Sequence, residues 1–155
     1  MNEKIETINI QEVKIANEIL GLQKASYKLE AELINYYELP PLKETVEDLI
    51  NSKELFLAYK LDNAIYGILS FEILNDTIDI CKLFVSPNYI NKGIGSKLLK
   101  KLEAEYNNIK IFIVQTGLKN TSGMNFYKKH NFNLIQVIKM SDGLEIAKLQ
   151  KILIC

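Results

Sequence analysis

The stretch LFVSPNYINKGIGSKLL, residues 83–99, constrains the fold more than any other part of the chain. Gly93 and Gly95 lie two positions apart, directly before apolar residues at helical spacing. Glycine inside a helix costs about 1 kcal/mol relative to alanine, so a pair at the start of one indicates a tight turn or a close approach to another group. The apolar run TIDICKLFV precedes them, and the whole segment therefore predicts a strand, a loop and a helix in succession.

The first sixty residues predict one strand and two helices. IETINI alternates polar and apolar residues as a strand does, and after Gln11 the apolar positions shift to helical spacing until about Tyr36. The Pro40–Pro41 pair is expected to interrupt that helical pattern. Thr45 and Asp48 have the spacing of a capping box, which predicts a short second helix ending near residue 52.

The remaining segments complete an α+β order. Turn residues at 61–63 separate two β-rich runs and predict an antiparallel hairpin. Beyond the glycines we expect a helix, the buried strand IKIFIVQ, a helix between Asn120 and Asn131, and a last pair of strands joined near residues 141–143. No repeat or low-complexity linker divides the chain, so we expect a single domain over residues 1–155.

Charge and cysteine content exclude several classes of protein. The 19 basic residues balance 19 acidic ones, so no overall positive field favours nucleic acid or anionic membranes. The N-terminal stretch lacks the long apolar segment of a signal peptide or a membrane span. Cys81 and Cys155 have no metal-ligand spacing and are interpreted as reduced thiols, which predicts a cytoplasmic protein without a metal.

Two common phosphate-binding loops do not fit the glycine pair. A P-loop requires a lysine and a hydroxyl residue after its second glycine, and Gly95 is followed by Ser96 and Lys97 in the reverse order. A dinucleotide-binding GxGxxG loop requires a third glycine at Leu98, and it begins immediately after its strand. Both loops are rejected.

INKGIG closely resembles a third loop, the acetyl-CoA loop of the GNAT N-acetyltransferases. In that family an arginine or glutamine, two variable residues and GxG stand at the start of a helix, after a strand and a proline. LFVSPNYINKGIGSKLL matches in order and spacing, except that Ile90 replaces the arginine or glutamine. Lys92 is the alternative source of positive charge. Helix-start N–H groups, with a partial charge of about half an electron, favour a bound pyrophosphate.

A second stretch carries the same resemblance. The family has an asparagine beyond the next strand, then a helix with a tyrosine near its end, then a Gly-Phe pair. Asn120, Tyr127 and the sequence HNF at 130–132 fall at these positions, with Asn131 replacing the glycine. Seven residues are about two helical turns, so Asn120 and Tyr127 share a face. Without the resemblance, Asn120 is interpreted as a helix N-cap and Tyr127 as a half-buried core ring.

The resemblance implies a fold, a reaction and a set of site residues. The fold is a mixed, mostly antiparallel twisted sheet flanked by helices, and the reaction is direct transfer of an acetyl group from acetyl-CoA to an amine in a ternary complex. Tyr127 corresponds to the family's acid for the leaving thiolate, and a backbone N–H among residues 83–85 polarises the thioester carbonyl. The residues expected to contact the coenzyme are Leu83, Phe84, Val85, Asn91, Lys92, Gly93, Ile94, Gly95, Ser96, Asn120 and Tyr127.

The base that deprotonates the amine has several candidates. Asp79 lies fourteen residues before Gly93, where histone-type members carry a base glutamate; its alternative is a solvent-facing position. Glu72 on the neighbouring strand and a chain of waters are the other candidates. His130, the single histidine, is interpreted as capping carbonyls or interacting with the helix dipole.

The acceptor site is expected at the first two helices and the loop near residues 140–144. Three tyrosines interleave there with three glutamates, either as a cation-binding surface or as an ordinary solvated helix: Tyr27, Tyr36, Tyr37, Glu30, Glu32 and Glu38. The alternative function is a non-catalytic acetyl-CoA-binding sensor or interaction module. A nucleotide-binding regulator is a third possibility, and the resemblance also implies a possible homodimer.

Overall fold

The computed structural model describes residues 2–153, so Cys155 lies outside the described residues. The strands are β1 Glu3–Ile8, β2 Leu55–Leu61, β3 Ala64–Leu74, β4 Thr77–Val85, β5 Ile111–Gly117, β6 Asn133–Lys139 and β7 Glu145–Ile152. The helices are α1 Val13–Ile34, α2 Pro40–Lys43, α3 Val46–Ile50, α4 Ile94–Glu105 and α5 Thr121–Lys129. A 3-10 turn over Pro87–Tyr89 follows β4.

The seven strands form one sheet in the order β1-β2-β3-β4-β5-β7-β6. Every neighbouring pair is antiparallel except β4 and β5, which are parallel. The mixed, mostly antiparallel sheet with flanking helices is therefore confirmed. The parallel pairing joins only Thr77–Ile80 to Ile111–Val114, and the two strands continue beyond it without a shared register. A cleft consequently opens in the middle of the sheet.

A β-bulge in β4 decides which side chains face each side of the sheet. Ser70 pairs with Lys82 and Phe71 with Ile80, so Cys81 has no partner on β3. Ile80 packs in the core cluster that contains α4 residues, whereas Phe84 packs in the cluster that contains α1 residues. An extra residue in a strand reverses the alternation beyond it, and the bulge therefore turns Phe84 towards α1.

Local signals in the sequence are confirmed where they involve near neighbours. Thr45 and Asp48 form the capping box, with the Thr45 N–H donating to Asp48 at 2.8 Å and the Asp48 N–H to the Thr45 hydroxyl at 3.2 Å. Asn131 has a φ of 70°, the left-handed conformation expected after α5. The helical pattern is interrupted as expected: α1 ends at Ile34, and Pro40 begins a separate one-turn helix, because proline suits the first position of a helix.

The outer strand β6 exposes apolar side chains. Leu134, Ile135 and Val137 are each more than two fifths exposed, and within residues 2–153 no strand pairs with the outer side of β6. The possible homodimer stays a prediction. Across residues 2–153, no helix combines the length and the apolar character that crossing a bilayer requires.

Candidate functional site

A cavity of about 650 Å³ occupies the cleft between β4 and β5. Its walls come from α1, the unpaired ends of both strands, the glycine loop and α5. Ten of the residues expected to contact the coenzyme line it: Leu83, Phe84, Val85, Asn91, Gly93, Ile94, Gly95, Ser96, Asn120 and Tyr127. Segments far apart in the sequence are thus brought to one space.

The glycine loop presents free backbone donors to this cavity. Gly93 has φ 78° and ψ 10° and is the N-cap of α4, and no side chain caps the helix. The first helical bond runs from the Lys97 N–H to the Gly93 carbonyl at 3.0 Å, which leaves the N–H groups of residues 94–96 without an acceptor in the helix. Unpaired N–H groups at a helix start form a site for an anion.

The two glycines are required for different reasons. A Cβ on Gly93 meets no atom within 4 Å, so its positive φ is what favours glycine. A Cβ on Gly95 would lie 3.2 Å from a ring carbon of Phe126 in α5. The close approach expected of the glycine pair is therefore present at position 95, where the neighbouring group is this ring.

Tyr127 is a ring of the hydrophobic core and Asn120 is the N-cap of α5, and both also line the cavity. Tyr127 is 6% exposed and packs edge-on against Phe132. Burial raises the pKa of Tyr127, and the negative charge of Glu30 raises it further. Asn120 Oδ1 accepts from the Gly123 N–H at 3.0 Å, which confirms the N-cap. Its Nδ2 donates to Thr116 at 3.3 Å.

Glu30 connects α1 to this cap. Its Oε1 accepts a hydrogen bond of 3.0 Å from Asn120 Nδ2, across 90 positions of sequence. Glu30 is half-buried, and desolvation raises the pKa of its carboxyl. It also lines the cavity, beside Tyr27 on the same helix. The interleaved glutamates and tyrosines of α1 were the one sequence signal for this position, and they did not distinguish Glu30 from its neighbours.

Asp79 and Lys92 do not line the cavity. Asp79 pairs with Glu72 on β3 and with Ile113 on β5, so it lies where the parallel strands are still hydrogen-bonded. Burial raises the pKa of Asp79, followed by the charge of Glu72. Glu72, Asp79 and Cys81 bring one potential ligand atom each within 4.8 Å of one another. The exposed Lys92 has its ammonium 6.0 Å from the ring centre of Tyr89.

His130 has a partner that its position in the sequence did not indicate. Its backbone N–H does close α5, bonding the Phe126 and Tyr127 carbonyls at 3.2 and 3.1 Å. Its ring, however, places Nε2 2.8 Å from the hydroxyl of Ser96 in the first turn of α4. Burial lowers the pKa of His130, and the charge of Lys151 lowers it further. The ring of His130 therefore links α5 to the glycine loop.

A buried ion-pair network supports the α1 side of the cavity. Lys82, also a lining residue, is 5% exposed and lies 3.0 Å from Glu44 and 3.2 Å from Glu54. Glu44 accepts a hydrogen bond of 2.8 Å from Gln23 on α1. The network ties the segment after α2 and the start of β2 to β4. Both Glu44 and Glu54 are thus already engaged within the protein.

Comparison with known proteins finds one matching family and two related sequences. The family described as "Acetyltransferase (GNAT) family" matches residues 18–132. The UPF0157 protein YqkA of Bacillus subtilis is 32% identical over 143 residues, covering 92% of this chain and 42% of its own. The spermidine N(1)-acetyltransferase of Thermoplasma acidophilum is 32% identical over 97 residues, covering 60% of this chain and 59% of its own. The chain thus spans about half the length of these relatives.

A solved structure has the same fold. The PaiA N-acetyltransferase of Thermoplasma acidophilum, crystallised in complex with coenzyme A, superposes with a TM-score of 0.73. The alignment covers 99% of this chain and 100% of that one, at 22% sequence identity. At this identity the similarity establishes the fold.

Proposed function

Because the chain belongs to the GNAT family of acetyltransferases, we propose that it transfers the acetyl group of acetyl-CoA to a primary amine by direct attack in a ternary complex. The observation that carries the proposal is the cavity between the diverging strands β4 and β5. The glycine loop, Tyr127 and Glu30 all line it. A coenzyme diphosphate on the loop directs its thioester into the cleft.

The glycine loop supplies an anion site built from the main chain. The N–H groups of residues 94–96 lack acceptors within α4, and the helix adds a partial positive charge of about half an electron at this end. Ile90 offers no donor, but main-chain groups provide the cradle. We propose that the diphosphate of acetyl-CoA binds here, with Lys92 as a further positive charge outside the cavity lining.

The unpaired end of β4 supplies donors for the thioester carbonyl. Beyond Ile80, β4 is no longer paired with β5 among the described residues. The backbone N–H groups of residues 83–85 that point towards β5 therefore have no acceptor on that strand. The carbonyl oxygen gains negative charge as the amine attacks. One well-placed donor to such an oxygen contributes about 3 kcal/mol.

Tyr127 is the donor proposed for the leaving sulfur. Model phenols and thiols have pKa values of about 10 and 8.5, so full proton transfer to a thiolate is uphill by about 2 kcal/mol. Burial raises the pKa of Tyr127 and makes full transfer less favourable still. Tyr127 therefore acts chiefly by donating a hydrogen bond to the departing thiolate.

The test is an acceptor screen at a fixed concentration of acetyl-CoA, with release of the CoA thiol as readout. The panel includes spermidine, an aminoglycoside, hexylamine and a peptide with a free N-terminus. Tyr127→Phe should lower kcat by roughly 10² if the residue only donates a hydrogen bond, and by up to roughly 10⁴ if it transfers the proton. A change under about threefold would remove Tyr127 from the mechanism.

Binding distinguishes an enzyme from a sensor. Calorimetry with acetyl-CoA measures affinity independently of turnover. Tight binding without release of thiol from any amine would favour a non-catalytic acetyl-CoA-binding module, and protection by ATP or NAD instead of CoA in a thermal shift would favour a nucleotide-binding regulator.

A further inference from the structure

Glu30 is the single carboxylate among the described residues that line the cavity. The other acidic side chains near it are engaged elsewhere or lie outside the lining. Glu44 and Glu54 hold Lys82, and Asp79 lies where β4 and β5 are still paired. A cation that enters this space therefore meets one negative charge.

The carboxylate of Glu30 is held in place by one of its two oxygens. Oε1 accepts from Asn120 Nδ2 at 3.0 Å, and Asn120 is 8% exposed and fixed in turn by Gly123 and Thr116. Among the ion pairs of residues 2–153, none includes Glu30. The second oxygen is therefore available to a ligand, on a side chain whose position is already set.

Glu30 faces the proposed reaction centre. Its charge contributes to the raised pKa of Tyr127 on α5 and of Tyr27 on α1, so all three groups share one region. We propose, on the basis of the proposed transferase activity, that Glu30 binds the acceptor's ammonium and accepts its proton as the nitrogen attacks. Its half-buried position makes it a stronger base than an exposed glutamate.

The proton balance of the step is simple. The ammonium gives one proton to Glu30, and its nitrogen forms a bond to the thioester carbon. The carbon–sulfur bond then breaks, the second proton of the nitrogen passes to the sulfur, and Tyr127 donates a hydrogen bond to it. Glu30 returns its proton to solvent when the product leaves. The products are the acetylated amine, the CoA thiol and one proton.

The surroundings of Glu30 indicate the class of acceptor. Leu29 and Leu33 line the cavity on the same helix and are 41% and 73% exposed. The cationic groups that line it are Lys82 and Lys129, so a second ammonium would meet no second carboxylate. The acceptor that fits best is a primary ammonium on an apolar stem. Hexylamine represents this class, and spermidine represents the polycations.

Glu30→Gln tests the proposal, because glutamine keeps the oxygen that Asn120 bonds. We expect kcat/KM for hexylamine to fall by roughly 10² to 10⁴ at pH 7. Activity of the variant should rise by about tenfold per pH unit, following the free amine, whose pKa is about 10. Wild-type kcat/KM should be higher for hexylamine than for spermidine. Glu12→Gln, an exposed change at the other end of α1, is the matched control.

The other titratable groups that line the cavity are Tyr27, Cys81, Lys82, Tyr89, Tyr127 and Lys129. Burial raises the pKa of Tyr27 and Tyr127, and it raises that of Cys81 to about 12, so these three stay protonated at neutral pH. Asp79→Asn is the competing variant, and a larger loss there than in Glu30→Gln would assign the base to Asp79.

The outcomes separate this inference from the proposed function. If wild type turns over an amine and Glu30→Gln stays within about threefold with an unchanged pH profile, the role of Glu30 is wrong while the transferase activity stands. If wild type turns over no amine, the proposed function fails. Hexylamine binding to the CoA-loaded protein then tests whether Glu30 binds the ammonium. Binding should weaken at least about tenfold in Glu30→Gln, and equal binding would overturn the inference.

Discussion

Replacing Gly93 by alanine separates the conformation of the loop from its occupancy by a ligand. Gly93 has φ 78°, and a Cβ there meets no atom within 4 Å, so the change introduces backbone strain without a steric clash. A non-glycine residue in the left-handed region costs about 1–2 kcal/mol. The reduced freedom of the unfolded chain offsets about 0.4–1 kcal/mol of this. We expect a net loss of about 1 kcal/mol.

For a chain of 155 residues, this loss corresponds to a fall in Tm of about 2–4 °C. The strain also favours rotation of the peptide groups that point at the proposed diphosphate. A hydrogen bond to a charged group contributes about 1.5–3 kcal/mol, so losing one should weaken acetyl-CoA binding by about 10- to 100-fold. Thermal unfolding measures the fall in Tm, and calorimetry measures the affinity for acetyl-CoA.

Gly143→Ala is the matched control for this experiment. Gly143 has φ 93°, a Cβ there also meets no atom within 4 Å, and the residue does not line the cavity. It should lose similar stability and keep wild-type affinity for acetyl-CoA. Equal affinity in Gly93→Ala and wild type would refute the loop as the coenzyme site. An unchanged Tm in Gly93→Ala would show that the left-handed conformation is not required.

Three further changes test other contacts. Lys82→Met leaves Glu44 and Glu54 without the cation between them and should lower the free energy of unfolding by about 3 kcal/mol in urea; no loss would contradict the network. Gly95→Ala places a methyl group 3.2 Å from an aromatic carbon of α5, so Tm should fall by a few degrees, and a higher Tm would show that the ring yields freely. Burial lowers the pKa of His130 from 6.5, so the unfolded chain binds this proton at a higher pH than the folded one, and stability should fall as pH drops below about 6.5. The fall in stability should be smaller in His130→Gln, and the same fall in both proteins would exclude a contribution from His130.

Elements that rest on short-range interactions could be predicted from the sequence. The capping box at Thr45 and the left-handed Asn131 are confirmed, because each depends on groups within a few residues. The N-cap role of Asn120 is confirmed in the same way. These features follow from which side chains can reach the nearest backbone donors.

Predictions about which residues face the cleft were less complete. Whether Asp79 faces the cleft depends on how far β4 and β5 remain paired. The pairing lasts for four residues of each strand, and its length is set by the course of the whole sheet. The bulge at Cys81, which turns Phe84 towards α1, leaves the period-two pattern of buried residues unbroken. An alternating pattern therefore could not show the change of face.

The amino-acid sequence alone determined the order of strands and helices, the glycine-initiated helix and the resemblance to the acetyltransferases, because these depend on residue type and local spacing. Only the tertiary structure decided which groups meet in the cleft. Glu30 meets Asn120 across 90 positions, and His130 meets Ser96 across 34. Such contacts depend on the packing of α1, α4 and α5 around a divided sheet, and no local pattern in the chain specifies that packing.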